Sequence, residues 1–324
     1  SGCFANMMDD LLLRQALLQQ YANGYAEQIV SLYESGDKRL IAAVRNFFDD
    51  ATPADIAALL RQNESRQSVK ILLDEIRAIT AEQNKDVIAA ATLAMLALAK
   101  AEASATAEIV GAEDAPPPKA QDVISLPVLG LGLVATWAAL NARYLINVIS
   151  TVTNAAQEGV DPVPLLRGTK GQNYKDGVFF TRNNQVERTA ETQVNGVSNN
   201  AQAAVYEAAG IKEEEWVATL DHKTCPTCGN LDGKRFKVGK GTTAPVHPRC
   251  RCLRVPVSAG SDIKTRYVDW FERRTETAKR SILGATRYDL YKSGELELNE
   301  FVNDRTQKLY TIDELNDIYN ISRS

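Results

Sequence analysis

Apolar residues return at helical spacing through most of the first 110 residues of this chain. Between Met7 and Tyr33 they recur every three or four positions, which predicts one buried helix face, and Gly36 predicts the end of that helix. Thr52 followed by Pro53 is typical of a helix start, because Thr caps free N–H groups and Pro fits the first turn. A long Ala- and Leu-rich helical region is then predicted from Arg66 to Val110.

The next part of the chain predicts a linker and a second helical block. Three successive prolines lie in the segment from Gly111 to Ala120, which predicts a linker. Helix is predicted again from about Leu129 to Glu158. The overlapping stretch from Val123 to Ala142 carries no charge and is long enough to cross a bilayer. Because Pro and Gly residues break its first half, we expect a buried core helix there rather than a membrane span.

The pattern changes character after a third helical block. Gly168 to Asn184 contains Gly and Asn and predicts a loop, and Gln185 to Ala209 predicts a helix that ends at Gly210. From about Asp262 the chain is predicted to be helical, and Thr311 to Glu314 predicts a capping box. Between these helical regions lie three short runs of β-forming residues, separated by Gly, Pro and Thr: Trp216–Leu220, Arg235–Val238 and Leu253–Val257.

Together these elements predict a mainly α protein with a small α+β module of three short strands. The length of 324 residues suggests about two domains. Along the chain we expect a helical N-terminal region, a Pro-rich linker, a helical region that leads into the next domain, a β module that carries Cys and His residues, and a helical C-terminal tail: residues 1–110, 111–120, 121–215, 216–260 and 261–324.

Composition and charge exclude several classes of protein. Hydrophobic residues make up 44% and charged residues 24%, which argues against wholesale disorder. The net charge of −4 argues against a protein that coats DNA by bulk charge. Five cysteines in 324 residues are too few for a disulfide scaffold. The first residues lack the basic start and long apolar run of a signal peptide, so we expect none.

Both histidines and four of the five cysteines lie between His222 and Cys252. Cys225 and Cys228 are separated by two residues on a Pro- and Gly-containing turn, which lets two thiolates converge on one centre. A second arm, His247-x2-Cys250-x-Cys252, follows after 18 residues. This spacing predicts a structural zinc site whose preferred ligands are Cys225, Cys228 and Cys250, with His247 or Cys252 as the fourth. His222 is the least favoured candidate, since it lies only three residues before Cys225.

Other interpretations of the cluster remain open. The cysteines could form disulfides if the protein is stored outside a cell, or they could be reduced thiols without a metal. Catalytic zinc is not favoured, because the chain lacks the H-x-E pattern of zinc deaminases and the H-E-x-x-H pattern of metalloproteases. The sequence therefore predicts no complete catalytic set and no enzyme.

The segment from Gly233 to Ser261 contains no acidic residue and is strongly basic. Part of its charge compensates the thiolates of the predicted zinc site, and the remainder could face phosphate groups or an acidic protein surface. A solvated basic face is the alternative. The candidate nucleic-acid-binding residues are Lys234, Arg235, Lys237, Lys240, Arg249, Arg251 and Arg254.

The Cys and His residues lie within a longer motif. Its first half is Trp216-x4-Asp221-x2-Thr224-Cys225-x2-Cys228-x2-Leu231-Asp232-Gly233, and its second half is Pro245-x-His247-Pro248-x-Cys250-Arg251-Cys252. This motif resembles that of the phage Mu F-like minor head protein family, the head morphogenesis proteins of tailed bacteriophages. The resemblance extends from about residue 160 to residue 320 and does not include residues 1–110.

The resemblance implies a non-enzymatic component of the virion, located in the capsid interior or at the portal vertex after assembly in the host cytoplasm. Its implied partners are the portal protein, the major capsid protein or both, with packaged DNA and further copies of itself around the portal ring as additional ones. Its implied role is in head assembly and in DNA packaging or ejection. The alternative is a phage-encoded nuclease or toxin-like transferase carried on a head-protein domain. Membrane contact is not expected.

Overall fold

Helices dominate the protein, and the predicted mainly α class with a small β module is confirmed. A computed structural model describes residues 2–168, 176–221, 223–257 and 266–321, with side chains from Met7 onward. In chain order the helices are α1 (Gly2–Asp50), α2 (Pro53–Leu60), α3 (Gln67–Val110), α4 (Ala120–Ser125), α5 (Leu133–Glu158), α6 (Pro162–Arg167), α7 (Val178–Ala208), α8 (Pro226–Leu231), α9 (Tyr267–Glu272), α10 (Glu276–Leu283), α11 (Ala285–Lys292) and α12 (Ile312–Tyr319). The strands are β1 (Glu213–Val217), β2 (Arg235–Lys237), β3 (Leu253–Pro256), β4 (Val302–Asn303) and β5 (Lys308–Leu309).

The chain forms two compact units, and each combines segments that are distant in sequence. The first unit contains residues 1–18, 99–123 and 195–324. The second unit contains residues 19–98 and 124–194. The five predicted segments remain a prediction about which parts of the chain fold on their own.

In the second unit, the prediction that Gly36 ends the first helix is wrong, because α1 continues to Asp50. A Cβ atom on Gly36 would lie 2.2 Å from Nε2 of Gln83. That Nε2 donates a hydrogen bond of 2.9 Å to the carbonyl of Tyr33. The glycine is therefore a point of close approach between α1 and α3, where the absence of a side chain lets Gln83 reach the backbone of α1.

A buried ion pair connects α1 and α7 inside the second unit. The guanidinium of Arg182 donates to both carboxylate oxygens of Asp37, at 2.5 and 2.9 Å. It lies 4.2 Å from the ring centroid of Tyr33 and 4.8 Å from that of Tyr144. The hydroxyl of Tyr144 also donates to Asp37, at 2.9 Å. The pair is thus both hydrogen-bonded and stacked on aromatic faces, which offsets part of the cost of burying two charges.

The stretch from Val123 to Ala142 is not one helix. α4 ends at Ser125, and α5 begins only at Leu133, after a turn that contains Pro127. The prediction of a buried core helix holds from Leu133 onward, where Trp137 is fully buried. The predicted break in the first half is also present, since Pro cannot donate the hydrogen bond that a helix needs.

α3 is the one helix in the described ranges that is long and apolar enough to cross a membrane by length and composition. In its most apolar window, 39% of the residues are buried. Core helices of other proteins have the same length and composition.

The start of α7 differs from the sequence-based prediction of a loop up to Asn184. The helix begins at Val178, so that Phe179 and Arg182 occupy one buried face. Residues 169–175 of that predicted loop, and residues 258–260 of the predicted β module, lie outside the described residues.

Three strands are present, as predicted, and form one antiparallel sheet in the first unit with the order β2-β1-β3. The first of them covers Glu213–Val217 rather than the predicted Trp216–Leu220. Glu214 of β1 lies opposite Phe236 of β2, and Trp216 of β1 lies opposite Arg254 of β3. The central strand carries the fully buried Trp216. A sheet this small cannot bury a large core of its own, so the surrounding loops and helices must supply contacts.

The C-terminal tail of the first unit has its own apolar core, formed by Tyr267, Phe271, Phe301, Leu315 and neighbouring side chains. The predicted capping box opens α12: Thr311 accepts from the N–H of Glu314, and Glu314 accepts from the N–H of Thr311. The short β4–β5 pair inside this tail was not predicted, because strands of two residues leave no alternating pattern.

Candidate metal centre

The loops around β1 bring the candidate ligands together in the first unit. Cys225 caps the N-terminus of α8, where Pro226 fits the first turn, and Cys228 lies within that short helix. His247 and Cys250 lie on the loop before β3, and Cys252 directly precedes that strand. The Cys-x-x-Cys turn therefore folds as a helical turn, which was not predicted.

Five of the candidate side chains form two overlapping groups that could hold a metal ion. The first group is Cys225, Cys228 and His247, and the second is Cys228, Cys250 and Cys252. In each group the ligand atoms lie within 4.8 Å of one another. Cys228 belongs to both groups and is therefore the centre of the cluster.

The closest contacts centre on Cys228 and His247. Nε2 of His247 lies 3.2 Å from Sγ of Cys225 and 3.1 Å from Sγ of Cys228. Sγ of Cys228 lies 3.7 Å from Sγ of Cys250. The other ring nitrogen of His247 contacts the carbonyl of Pro248 at 2.8 Å, which favours Nε2 as the ligand atom. The four described cysteines are not joined in disulfides.

The cluster favours thiolates at two positions even without a metal ion. The hydrogen bond from Cys228, followed by the contact with His247, lowers the pKa of Cys225 to about 4. The hydrogen bond with Cys228 likewise holds the pKa of Cys250 well below its usual value. The contact with Cys225 raises the pKa of His247 to about 9. Thiolates are the form in which cysteine binds metals, so these two side chains are prepared for coordination.

Trp216 packs beneath the cluster, together with Leu231 and Ala244. Cys228, Cys250 and Cys252 are each about 2% exposed or less, whereas Cys225 is only partly buried. The centre is therefore enclosed on its protein side and reachable from solvent near Cys225. Such enclosure is typical of structural rather than catalytic sites, which keep a ligand position open.

Two aspartates hold the turns that carry the ligands. Asp232 accepts from the N–H of Ala218 at 2.9 Å and from the N–H of Tyr267 at 2.8 Å. Asp221 accepts two hydrogen bonds from the guanidinium of Arg251, one of them at 2.6 Å. These contacts tie the Cys-x-x-Cys turn and the second arm to the sheet, so the acidic positions of the motif have a structural role.

A buried polar face on α7 also contacts the second arm, and the sequence did not reveal it. Nδ2 of Asn195 donates to the carbonyls of Cys250 and Cys252, at 2.9 and 3.2 Å. Oδ1 of Asn199 accepts from the N–H of Arg254 at 3.2 Å. The available signal was the repeat of Asn at i and i+4 inside a helix, where Asn is unfavourable unless its side chain has a specific partner.

The seven basic candidates do not form one free cationic surface. Lys237, Lys240 and Arg249 are exposed. Among the described residues, ion pairs with carboxylates from outside this segment join Lys234 to Asp304, the exposed Arg235 to Glu215, Arg251 to Asp221 and Arg254 to Glu214. Arg254 is also buried, since only 4% of it is exposed. That these seven residues bind nucleic acid stays a prediction. The exposed side chains are the ones best placed to contact phosphate groups. His222 lies outside the described residues.

The fold and the site define a helical protein with a compact β module that presents a Cys/His group able to hold a metal ion. The family model described as phage Mu protein F like protein matches residues 151–255, which include α7 and all five candidate ligands of the cluster. The chain thus carries a domain of the phage Mu F-like family, and the resemblance of the motif is confirmed. This match over residues 151–255 supports, at the level of the family, a role in phage head morphogenesis and an association with the virion. Neither a search of curated proteins nor one of solved structures finds a match.

Proposed function

We propose that this protein is a non-enzymatic minor head protein that binds the portal or the inner capsid and assists head assembly and DNA packaging or ejection. The observation that carries the proposal is the family match over residues 151–255, because it coincides with the Cys/His cluster and with the helix that supports it. An enclosed structural centre, rather than an open catalytic one, agrees with this role.

Long helices with exposed apolar side chains support a role in docking. Leu13 of α1 is 61% exposed, Leu93 of α3 is 70% exposed and Ile146 of α5 is 62% exposed. Isolated exposed apolar side chains are ordinary, but they are also the positions that a partner covers most readily. We propose the portal protein or the major capsid protein as that partner.

The experiment that tests this role is quantitative mass spectrometry of purified virus particles, in which copies of the chain are counted against the portal protein. We expect a small fixed ratio to the portal, because a minor head protein occupies a limited set of positions. Absence of the chain from particles would contradict the proposal. It would favour the alternative, a phage-encoded nuclease or toxin-like transferase.

We further propose that the Cys/His cluster holds a structural zinc ion. A tetrahedral zinc with Zn–S bonds of about 2.3 Å separates its sulfur ligands by about 3.8 Å, and its sulfur and nitrogen ligands by about 3.6 Å. The Sγ atoms of Cys228 and Cys250 lie 3.7 Å apart, and the contacts of His247 at 3.1 and 3.2 Å are a few tenths shorter. The donor set of thiolates and one imidazole also suits zinc. When bound, zinc would stabilise a module whose own core is small.

Metal content of the purified full-length protein tests the zinc assignment. We expect about one zinc per chain, and loss of that zinc in the double variant Cys225→Ser, Cys228→Ser. The matched control is Cys3→Ser, since Cys3 lies far from the motif in sequence. Full retention of zinc in the double variant would contradict the assignment.

A further inference from the structure

The start of α1 packs on the strands that frame the metal centre. Its apolar side chains form one buried cluster with residues of β1, β3 and the end of α3: Met7, Met8, Leu11, Ile109, Val110, Val217, Leu253 and Val255. Arg14 donates to the buried carboxylate of Glu102 at 2.7 Å, and Ser198 of α7 donates to the same carboxylate at 2.9 Å. Residues 7–18 are therefore held by apolar packing and by a buried polar contact.

One side chain of this segment reaches the ligand-bearing loop. Nε2 of Gln15 donates to the carbonyl of Arg251 at 2.8 Å. It also donates to Oδ1 of Asn195 at 3.1 Å. Arg251 lies between the candidate ligands Cys250 and Cys252, so Gln15 binds the backbone at the centre of the second arm.

Asn195 completes the connection. Its Nδ2 donates to the carbonyls of Cys250 and Cys252, at 2.9 and 3.2 Å, so its amide spans the second arm while its oxygen accepts from Gln15. Only 1% of Asn195 and 6% of Gln15 is exposed, so a lost partner would leave a buried polar group unpaired. Three successive carbonyls of the second arm are therefore held by two amides.

We propose that Asn195 and Gln15 are positioning residues that link metal binding to the docking of residues 7–18. The inference rests on the proposed metal centre. A bound metal fixes the Cys250 and Cys252 side chains and hence the carbonyl directions to which the amides bind. Without the metal the second arm gains conformational freedom, the amides lose their acceptors and the start of α1 loses the polar contact of Gln15, whereas that of Arg14 with Glu102 remains. Because linkage is reciprocal, docking of residues 7–18 raises metal affinity by the same factor.

The consequence is that the metal contributes to the packing of the N-terminal helix. When residues 7–18 are released, Met7, Met8 and Leu11 lose their contacts with Val217, Leu253 and Val255. The metal centre then helps to hold the start of α1 in place, in addition to stabilising the β module.

Hydrogen exchange of the full-length protein, with and without a chelator, tests this link. We expect metal removal to raise exchange in residues 7–18 by about 10- to 100-fold, because loss of an outer partner typically weakens metal binding by that factor and linkage is reciprocal. Exchange in residues 67–98 of α3, which belong to the other unit, serves as the internal control and should not change. Metal loss is measured on the same samples, so that exchange is compared only between loaded and stripped protein.

Variants of Gln15 and Asn195 test whether these side chains position the second arm for metal binding or only stabilise the fold. Gln15→Ala and Asn195→Ala should each weaken zinc binding by about 10- to 100-fold. They should also make exchange in residues 7–18 insensitive to the chelator and shift the visible absorption bands of the cobalt-substituted protein. The matched controls are Gln20→Ala, an exposed position on α1, and Asn200→Ala, a neighbouring position on α7. Both should retain wild-type affinity and coupling.

The outcomes distinguish the inference from the proposal on which it rests. If the wild-type chain binds no metal, the metal centre and the link both fail. If it binds zinc but the chelator leaves residues 7–18 protected, or raises exchange equally throughout the chain, the link alone is overturned. Wild-type zinc affinity in both Gln15→Ala and Asn195→Ala would overturn it as well.

Discussion

Cys228 is the residue on which the metal centre depends most directly, because it belongs to both groups of candidate ligands. We expect Cys228→Ser to weaken zinc binding more than Cys225→Ser or Cys252→Ser, since each of the latter leaves one group intact. Its effect should exceed the roughly 10- to 100-fold typical of outer partners. Competition with a chromophoric chelator measures the three affinities, and equal losses would contradict a shared central ligand.

Two glycines on α1 give opposite predictions. A Cβ on Gly24 would meet no atom within 4 Å, so Gly24→Ala should stabilise the protein by about 0.5–1 kcal/mol through helix propensity. Gly36→Ala should destabilise it by about 1 kcal/mol, because displacing Gln83 leaves buried polar groups unpaired. Urea unfolding of both variants measures the difference, and stabilisation by both would show that Gln83 moves aside without loss.

At this scale the sequence revealed the candidate ligands that the fold brings together, but not the residues that support them. Cys225, Cys228 and His247 were identified from spacing alone, since metal ligands must be particular residue types at short separations. Asn195 was not identified, because the repeat of Asn along α7 does not show that the partners are backbone carbonyls 55 and 57 residues away. Gly36 was misinterpreted for a similar reason: glycine favours both helix ends and close contacts, and only the position of Gln83 distinguishes them.

The helices of the second unit are connected by one ion pair of unusual burial. The Arg182 side chain is 2% exposed and that of Asp37 is 14% exposed, whereas in the pair Arg39–Glu82 both side chains are half exposed. Removal of one partner from a buried pair leaves a charge without compensation, and removal from an exposed pair does not. These two ion pairs are of the same chemical type, and we expect them to differ greatly in their contribution to the free energy of unfolding.

We expect Asp37→Ala to lower the free energy of unfolding by about 3–5 kcal/mol. The matched control, Glu82→Ala, breaks the exposed pair and should change it by less than about 1 kcal/mol. Chemical denaturation, monitored by circular dichroism, measures both. Equal small effects would show that the aromatic faces of Tyr33 and Tyr144 alone keep Arg182 in place.

Most elements were predicted from periodicity, and the failures have local causes. The three short strands, the helix start at Thr52 and the capping box at Thr311 were predicted, because each depends on neighbouring residues. The early start of α7 was missed because Gly and Asn residues flank its short apolar first turn, and the burial of Arg182 cannot be inferred from its residue type. Tertiary packing there overrides the composition of the segment.

On the scale of the whole molecule, the segments of each unit come from distant parts of the chain. Sequence patterns describe neighbours along the chain, so they indicated linear segments and could not show that residues 1–18 join residues 195–324 in one unit. The same limit applies to charge. The basic segment looked uniform in sequence, yet four of its seven candidates have acidic partners elsewhere.

If the protein contacts DNA, the exposed lysines should carry that contact. We expect Lys237→Glu with Lys240→Glu to reduce DNA retention and to flatten its salt dependence by roughly 0.9 in log–log slope per lost phosphate contact. The matched control, Lys38→Glu with Lys100→Glu, makes the same charge change at exposed positions on α1 and α3. Filter binding across a salt series measures both variants. An identical slope in the two would indicate an effect of net charge alone and contradict a local contact.

The edge of β3 is covered by α7, and this has a consequence for self-association of the chain. Asn199 accepts from the N–H of Arg254, Asn195 donates to the carbonyl of Cys252, and α7 thereby binds backbone groups at the outer side of an end strand. End strands with free backbone groups recruit other chains and promote aggregation. A second copy of the chain would need these same backbone groups to extend the sheet at β3. With its amide side chains over β3, α7 therefore opposes that form of self-association.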